Sequence, residues 1–585
     1  MSRLRASGAA WIILLIAALL AGCGGTPSGG GATQPTTAPG SGATAAPEST
    51  APPASGQTPA TGGVLRVART AAPDSLNPGA AYLSEAFDLF VLVYDTLITT
   101  DLLNQPQPQL AKEWSVSDDQ RSWTFKLHEG AMWHDGKPLT AEDVAFTFNM
   151  IKEFDSFALI KDFTTSVETI ETPDPTTVII TFEQPVANWV ERFNGVFILP
   201  KHVWEQFPDT ATALEFENRE MIGSGPFKMV EYRQGEFTRL AAVKDHYLDP
   251  PNIDEVIFRV FTNDDAAVQA LRAGEVDLAS PPNIVIRALQ SEASIKVEIG
   301  NALRLSDIIL NVTDPENCPT EAGGKCTGHP ALRDVRFRQA LAHATDKQQF
   351  IDVLLLGLGE PGISLVTPPG HGEAFNDNLQ DYAYDVARAN QILDEAGYVD
   401  SNGDGVREMP GDPATPLKLR FTYPSDQYAG DGPRFSDLLS GMWKQIGVEL
   451  AVQPFDADTV TSICCPTFDF DVIRWGWGAG PDPASLLYIT TTEQIPTGIS
   501  ETGYSNPEYD ALFVEQGTTV DEAKRIELLH KMQEILLRDV PYIIPYYPQN
   551  VEAYRSDRFQ GWLIEPDGLL SLSGRINLTR VSAVQ

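Results

Sequence analysis

Trp133-His-Asp-Gly-Lys-Pro-Leu-Thr-Ala-Glu-Asp-Val144 decides the reading of this chain, together with Trp123-Thr-Phe-Lys-Leu127 just before it. In the earlier piece apolar and polar residues alternate, as a half-buried strand requires. Glu129-Gly130 offers a turn, and Ala131 to His134 then reads as the returning strand of a hairpin. Asp135-Gly136 is a second turn signal. Thr140 and Asp143 stand three apart ahead of an apolar run, a variant of the capping box, and predict a helix through about Ile151.

Working outward, Gly223-Ser-Gly-Pro-Phe227 opens a second hairpin, with strands to Tyr232 and from Phe237 to Ala242 around Gln234-Gly235. Ile253 to Phe261 reads as a strand. Asn263 caps a helix over Ala266 to Ala273, which Gly274 ends. Beyond Asn311 helices alternate with strands: Pro330 to Ala344, Asp346 to Leu356 and Asp385 to Ala396 as helices, then Leu417 to Tyr423 as a strand. Ser436 to Ile446 follows as helix, Val448 to Gln453 and Phe468 to Trp477 as strands. Asp521 to Arg538 is a long amphipathic helix, and Tyr542 to Tyr547 a closing strand. Such alternation signals a mixed α/β body. No repeat recurs at a fixed period.

The N-terminal end is of another kind. Arg3 and Arg5 precede an apolar run from Ala9 to Ala21 that is shorter than the roughly 20 residues a spanning helix needs, which suits an export signal. It ends Leu20-Ala21-Gly22-Cys23, which resembles the lipobox of bacterial lipoproteins. That resemblance implies a lipid on the Cys23 thiol and an extracytoplasmic, membrane-anchored protein. Gly24 to Gly63 holds only small, Pro and Gln residues apart from Glu48, so it cannot build a core and is expected to be a disordered tether spanning roughly 35 Å.

The 585-residue chain carries 42 Lys and Arg against 79 Asp and Glu, a formal net charge of −37. Polyanions would be repelled, which excludes nucleic acid as a ligand class. Beyond Cys23 four cysteines remain. Cys318 and Cys326 flank a Pro/Gly-rich loop and are disulfide candidates. The adjacent Cys464 and Cys465 leave three options open: a vicinal bridge, two thiols, or pairing with the other two.

Read together, Pro108-Gln-Leu-Ala-Lys-Glu-Trp114, Trp123 to Gly130, Trp133 to Val144, Gly223 to Phe227, Leu271-Arg-Ala-Gly-Glu-Val-Asp277 and Arg333-Asp-Val-Arg-Phe-Arg-Gln-Ala-Leu341 resemble, in order and spacing, the large extracellular solute-binding proteins of ABC importers, family 5. That family includes oligopeptide and dipeptide receptors. The resemblance implies an α/β, two-lobed, periplasmic-binding-protein-like clamshell of class II. Residues 64–100, 221–305 and 543–585 would form lobe I, 101–220 an inserted subdomain and 306–542 lobe II, with the chain crossings as hinge. It implies a monomeric receptor that closes on a solute, a peptide by family preference, and delivers it to permease subunits whose partner ATPases do the hydrolysis. The chain has no P-loop of its own.

Arg474-Trp-Gly-Trp-Gly-Ala-Gly-Pro-Asp-Pro483 is the richest candidate for the pocket wall. Trp475 and Trp477 lie two apart and share a strand face, and Gly478 and Ala479 leave room for a ligand to approach the backbone. The plain alternative is that both tryptophans are core. In the family the corresponding loop supplies an aspartate for a peptide's α-ammonium. Here the best-aligned positions hold Ala479 or Gly480, with Asp482 further on, so either Asp482 serves from a shifted loop or the solute has no free amino terminus. Tyr82 and Tyr546 fall in segments that line the pocket in relatives.

Asp400-Ser-Asn-Gly-Asp-Gly-Val-Arg-Glu408 is similar to the front half of a calcium loop, with oxygens at Asp400, Asn402, Asp404, the Val406 carbonyl and Glu408. The twelfth position is Gly411, so the bidentate glutamate is missing, and a turn-rich connector is the alternative. No other cofactor is expected. Rival classes are a receptor for a non-peptide solute such as an oligosaccharide, a secreted hydrolase, and a surface scaffold. For the hydrolase, Gly223-Ser-Gly225 is not a Gly-x-Ser-x-Gly elbow and no His-Glu-x-x-His motif is present, so no catalytic residue is assigned and a non-enzyme is expected.

Overall fold

The computed structural model describes residues 62–584 apart from 155, 156, 158, 159, 426 and 429. The export signal, Cys23 and nearly all of the tether lie outside the described residues.

A seven-stranded sheet forms the first body. Its order is Ile295–Gly300, Asn550–Arg555, Leu278–Ala279, Val64–Arg69, Glu255–Val260, Phe237–Ala242 and Phe227–Arg233. Val64–Arg69 runs parallel to Glu255–Val260 with Val67 opposite Phe258, so the start of the body is zipped to a strand almost two hundred residues on. Asn263 caps the helix Asp264–Ala273 by accepting from Ala266 N at 2.9 Å, and Gly274 ends it at φ 72°, as the sequence indicates.

The insert carries its own four-stranded sheet, in the order Ala111–Val116, Ser122–Leu127, Thr177–Phe182 and Val167–Asp174. Here the expected hairpin is corrected. Ser122–Leu127 pairs with Ala111–Val116 and Thr177–Phe182, not with residues 131–134. Gly130, at φ 80°, turns the chain off the sheet. Residues 131 to 139 instead fold back on themselves around Asp135-Gly136, with Trp133 N donating to Lys137 O and Leu139 N to Ala131 O. The Thr140 cap stands: Thr140 N donates to Asp143 Oδ2 at 2.9 Å at the head of helix Ala141–Glu153.

The second body is built on a six-stranded sheet in the order Gly359–Pro361, Tyr542–Pro548, Arg304–Leu310, Val472–Gly478, Lys418–Thr422 and Glu449–Val452. Tyr542–Pro548 therefore belongs to this sheet, which moves the last lobe boundary from 543 to about 549. Its pairing with Arg304–Leu310, Ile308 opposite Ile543, outweighs its nearness in sequence to lobe I. The expected helix from Pro330 breaks at Asp334, which caps Val335–His343 instead.

Core membership divides the molecule physically. One apolar cluster runs from Leu65, Val67 and Phe90 into Phe125, Phe148 and Phe193, so the insert and the first sheet share a core. The opposite face of that sheet packs Ala68, Val268, Leu271 and Ile295. The six-stranded sheet has a core on each face, one with Phe337, Phe421, Phe435 and Trp443, the other with Ile309, Ile473, Leu529 and Met532. Each of these clusters draws its buried members from one body alone. Two bodies with separate cores can move as units, because burial is cooperative within a core and weak between cores. The chain passes between them at residues 301–303 and again at Gln549, beside the ladder pair Gly300 and Asn550. These two crossings lie side by side.

The structure joins Cys318 to Cys326, with Cα atoms 5.9 Å apart, and joins Cys464 to Cys465 as a vicinal bridge. Among the described residues no helix is long and apolar enough to cross a membrane.

Candidate functional site

Strand Val472–Gly478 lies in the middle of the second body and runs out toward the inserted subdomain, so its last residues and the loop beyond them stand at the junction of the two bodies. Period two sorts its side chains. Trp475 faces Asp307 across the ladder and Trp477 faces Leu305, while Arg474 and Gly476 lie on the other face. Both tryptophans are partly buried against the Ile309–Ile473 core. Gly478 and Ala479 continue the strand, Ala479 N donating to Leu303 O at 2.9 Å, at the first crossing between the bodies.

Tyr546 does not join the tryptophans. It is buried on the opposite face of the sheet in line with Ser306, where its hydroxyl accepts from Arg474 Nη2 at 3.1 Å. Arg474 is itself buried, donates to Asp431 Oδ2 at 2.7 Å, and its guanidinium lies 4.1 Å from the Tyr428 ring centre and 4.2 Å from that of Phe435. Its Nε and Nη1 have no hydrogen-bond partner. Tyr82 stands apart, 64 % exposed on the first body.

Asp482 is buried and already engaged. Its Oδ1 accepts from Ala484 N at 2.8 Å and from Arg525 Nη2 at 2.7 Å. A carboxylate so paired is not presented as an open anchor for an ammonium group. The same corner carries contacts between the insert and the second body. Asn104 Nδ2 of the insert donates to Pro481 O at 2.8 Å and Gly370 O at 3.2 Å, and Ala187 N donates to Gly517 O at 3.0 Å.

Two buried acids beneath the tryptophans escape a reading by motif. Glu501 Oε2 accepts from Trp477 Nε1 at 2.9 Å and from Tyr542 Oη at 3.1 Å. Burial pushes its carboxyl up to about 7. Asp307 is wholly buried, neither of its oxygens has a hydrogen-bond partner, and burial together with the Glu501 charge raises its carboxyl well above the usual range. An acid inside the apolar strand Arg304–Leu310 is the signal that could have found it.

The calcium candidates come together in part. Asp400, Asp404 and Glu408 bring carboxylate oxygens within 4.8 Å of one another. The loop also uses them internally. Asp400 accepts from Gly403 N and Gly405 N, Glu408 from Ser401 N, and Asn402 Nδ2 donates to Glu408 Oε1 at 3.0 Å. Asn402 thus turns its amide nitrogen, not its oxygen, toward the glutamate. A cavity of about 830 Å³ lies elsewhere, in the insert beside Asp135, His202, Phe207 and Phe216, and none of the sequence-selected ligand or metal residues lines it.

The family described as bacterial extracellular solute-binding proteins, family 5 Middle, matches residues 105–496. The oligopeptide-binding protein AppA of Bacillus subtilis (strain 168) is 25 % identical over 513 residues, 87 % of this chain and 90 % of its own. In solved structures, AppA from Bacillus subtilis in complex with a nonapeptide has a TM-score of 0.75 at 24 % identity, over 90 % of this chain and 100 % of that one. The ABC transporter substrate-binding protein CtaP of Listeria monocytogenes has a TM-score of 0.74 at 26 % identity, over 90 % and 100 %. With the family matched over most of its length and the two-lobed fold shared, this chain belongs to the bacterial extracellular solute-binding proteins, family 5.

Proposed function

We propose that this protein is the extracytoplasmic receptor of an ABC importer for peptides. It captures its solute between the two bodies and hands it, chemically unchanged, to membrane permease subunits. The observation that carries the reading is the division into bodies with separate cores, which the chain crosses between at residues 301–303 and 549, with the loop after Trp477 at the contact between them. Two such bodies respond to a ligand by closing, to the extent that the ligand binds the closed form better. Moving the population from mostly open to mostly closed takes about 5 kcal/mol of that differential affinity.

The solute reading rests on the oligopeptide-binding relative that covers most of the chain. Trp475, Trp477, Gly478 and Ala479 form the wall on the second body, with Tyr546 supporting Arg474 from behind and Tyr82, exposed on the first body, as the candidate from that side. Because Asp482 is held by Arg525, peptide recognition is expected to run through backbone contacts and apolar surface rather than through an ammonium anchor there. Calorimetric titration with defined peptides of two to nine residues tests this. Saturable binding of one peptide per protein, with no cleavage on long incubation, supports a receptor that is not an enzyme. Turnover of the peptide, or retention of an oligosaccharide instead, refutes the peptide receptor.

The receptor is further proposed to be lipid-anchored through Cys23 and to work as a monomer. Replacing Cys23 by Ser is expected to release it from membranes, and unchanged retention would refute the anchor. The 400–408 loop is the candidate for a structural calcium. A melting temperature that neither added calcium nor a chelator changes would remove it.

A further inference from the structure

The contact between the insert and the second body gathers acids from both. Helix Trp189–Gly195 of the insert brings Glu191 against the loop after strand Val472–Gly478, so closely that a Cβ on Gly480 would sit 2.3 Å from Glu191 Oε1. Two residues on, Asp482 is buried against Arg525 of helix Glu522–Asp539. Arg525 reaches across as well, Nη1 donating to Ala187 O of the insert at 3.4 Å while Nε donates to Gln516 Oε1 at 3.1 Å. Two carboxylates from opposite bodies therefore stand at one corner, Asp482 paired with Arg525 and Glu191 against Gly480, at a site from which closure drives water.

Among the other groups facing Glu191, Arg192 favours its charged form more than Arg525 does, yet burial and the Asp482 charge outweigh both. Arg192 lies beside it, yet its guanidinium is engaged with Asn188 Oδ1, Phe163 O and Ser166 Oγ. His371 turns its Nε2 to Gly480 O, and burial lowers its imidazole from the ordinary range. Asn188 adds a neutral hydrogen bond. Leaving both carboxylates charged in this contact is costly, and a proton on one of them removes the cost.

We propose that Glu191, Asp482 and Arg525 form a proton-dependent latch that positions the insert against the second body. This rests on the two-lobed receptor reading but not on the identity of the solute. With the bodies apart, Glu191 faces water and titrates as an ordinary carboxylate. With them together, burial first and the Asp482 charge second push it up to about 8. The closed form then holds one more proton than the open form over the window between about 4.5 and 8, so closure strengthens as pH falls through that window and the gain is complete below it. A single proton allows at most a tenfold change in the closed-to-open ratio per pH unit.

Small-angle scattering of the purified protein without solute, from pH 5.5 to 8.5, tests the latch. The compact fraction is expected to rise as pH falls. Glu191→Gln is expected to stay compact across the whole range with no pH dependence, and Asp482→Asn to lose most of that dependence. A wild-type profile that does not change with pH overturns the proposal. So does a Glu191→Gln protein that keeps the wild-type dependence or is open at every pH. Peptide binding is not involved in this readout, so failure of the latch and failure of the peptide receptor are told apart.

Discussion

Trp477 Nε1 donates to Glu501 Oε2 at 2.9 Å, and that buried carboxyl also takes the Tyr542 hydroxyl. The indole at the candidate wall is thus held by a group whose own state depends on pH. Burial raises Glu501 to about 7, so the folded protein binds a proton there more tightly than the unfolded chain does. Stability from this group is full below the unfolded value near 4.5 and is lost as pH rises toward 7. Glu501→Gln keeps an acceptor for both donors and removes the charge. Its melting temperature is expected to fall less than that of the wild type between pH 5 and 8. Glu501→Leu strands two buried donors and is expected to cost roughly 2 kcal/mol in urea unfolding.

Asp95 behaves in the opposite sense. Burial alone would raise its carboxyl, but the Arg575 guanidinium at 2.7 Å, then His246 beside it and the Tyr247 hydroxyl donating at 2.8 Å, hold it well below the usual carboxylate range. Its contribution is present above the unfolded value near 3.9 and is lost as pH falls below it. Arg575→Met leaves that charge buried and unpaired. A loss of about 3 kcal/mol is expected, with the acid unfolding midpoint moved to higher pH by circular dichroism.

Gly223 and Gly225 lie against the end of helix Ser84–Val93, where Gly225 N donates to Val93 O at 2.8 Å. A Cβ on Gly223 would sit 1.9 Å from Val93 O, a clash with backbone that no rotamer relieves. Gly223→Ala is expected to destabilise by about 3 kcal/mol or to prevent folding. Gly441→Ala, with open space around it inside helix Gly432–Lys444, is expected to be neutral or slightly stabilising. Comparing the two urea midpoints checks the contrast.

The Cys318–Cys326 bridge closes a short loop. Replacing both cysteines by serine is expected to cost about 2 kcal/mol, seen as a lower melting temperature that reducing agent does not lower further through this loop. The vicinal pair Cys464–Cys465 closes almost no chain and gives no comparable gain on this account.

What could be read from the sequence was local. The Thr140 cap, the Asp135-Gly136 turn, the Asn263–Gly274 helix and the helix to Ala396 closed by Gly397 each depend on residues within one turn of one another, and each is present. Strand partners depend on contacts far along the chain, so the local pattern points Trp123 to Leu127 at its neighbour at 131, whereas the strand pairs with Thr177–Phe182. Tyr542–Pro548 was assigned to the wrong body for the same reason. At the candidate site the spacing of Trp475 and Trp477 was legible. That Asp482 is held by Arg525, and that Glu191 reaches the same loop at Gly480, is not, because those partners lie on separate elements.

The central claim, a two-body receptor that retains peptide without altering it, is tested most directly by mass spectrometry. The protein is mixed with a random pool of peptides of two to ten residues, freed of unbound material by gel filtration, and denatured. The account expects intact peptides to be released at up to one per protein. Release of nothing, or of cleaved fragments, would contradict it.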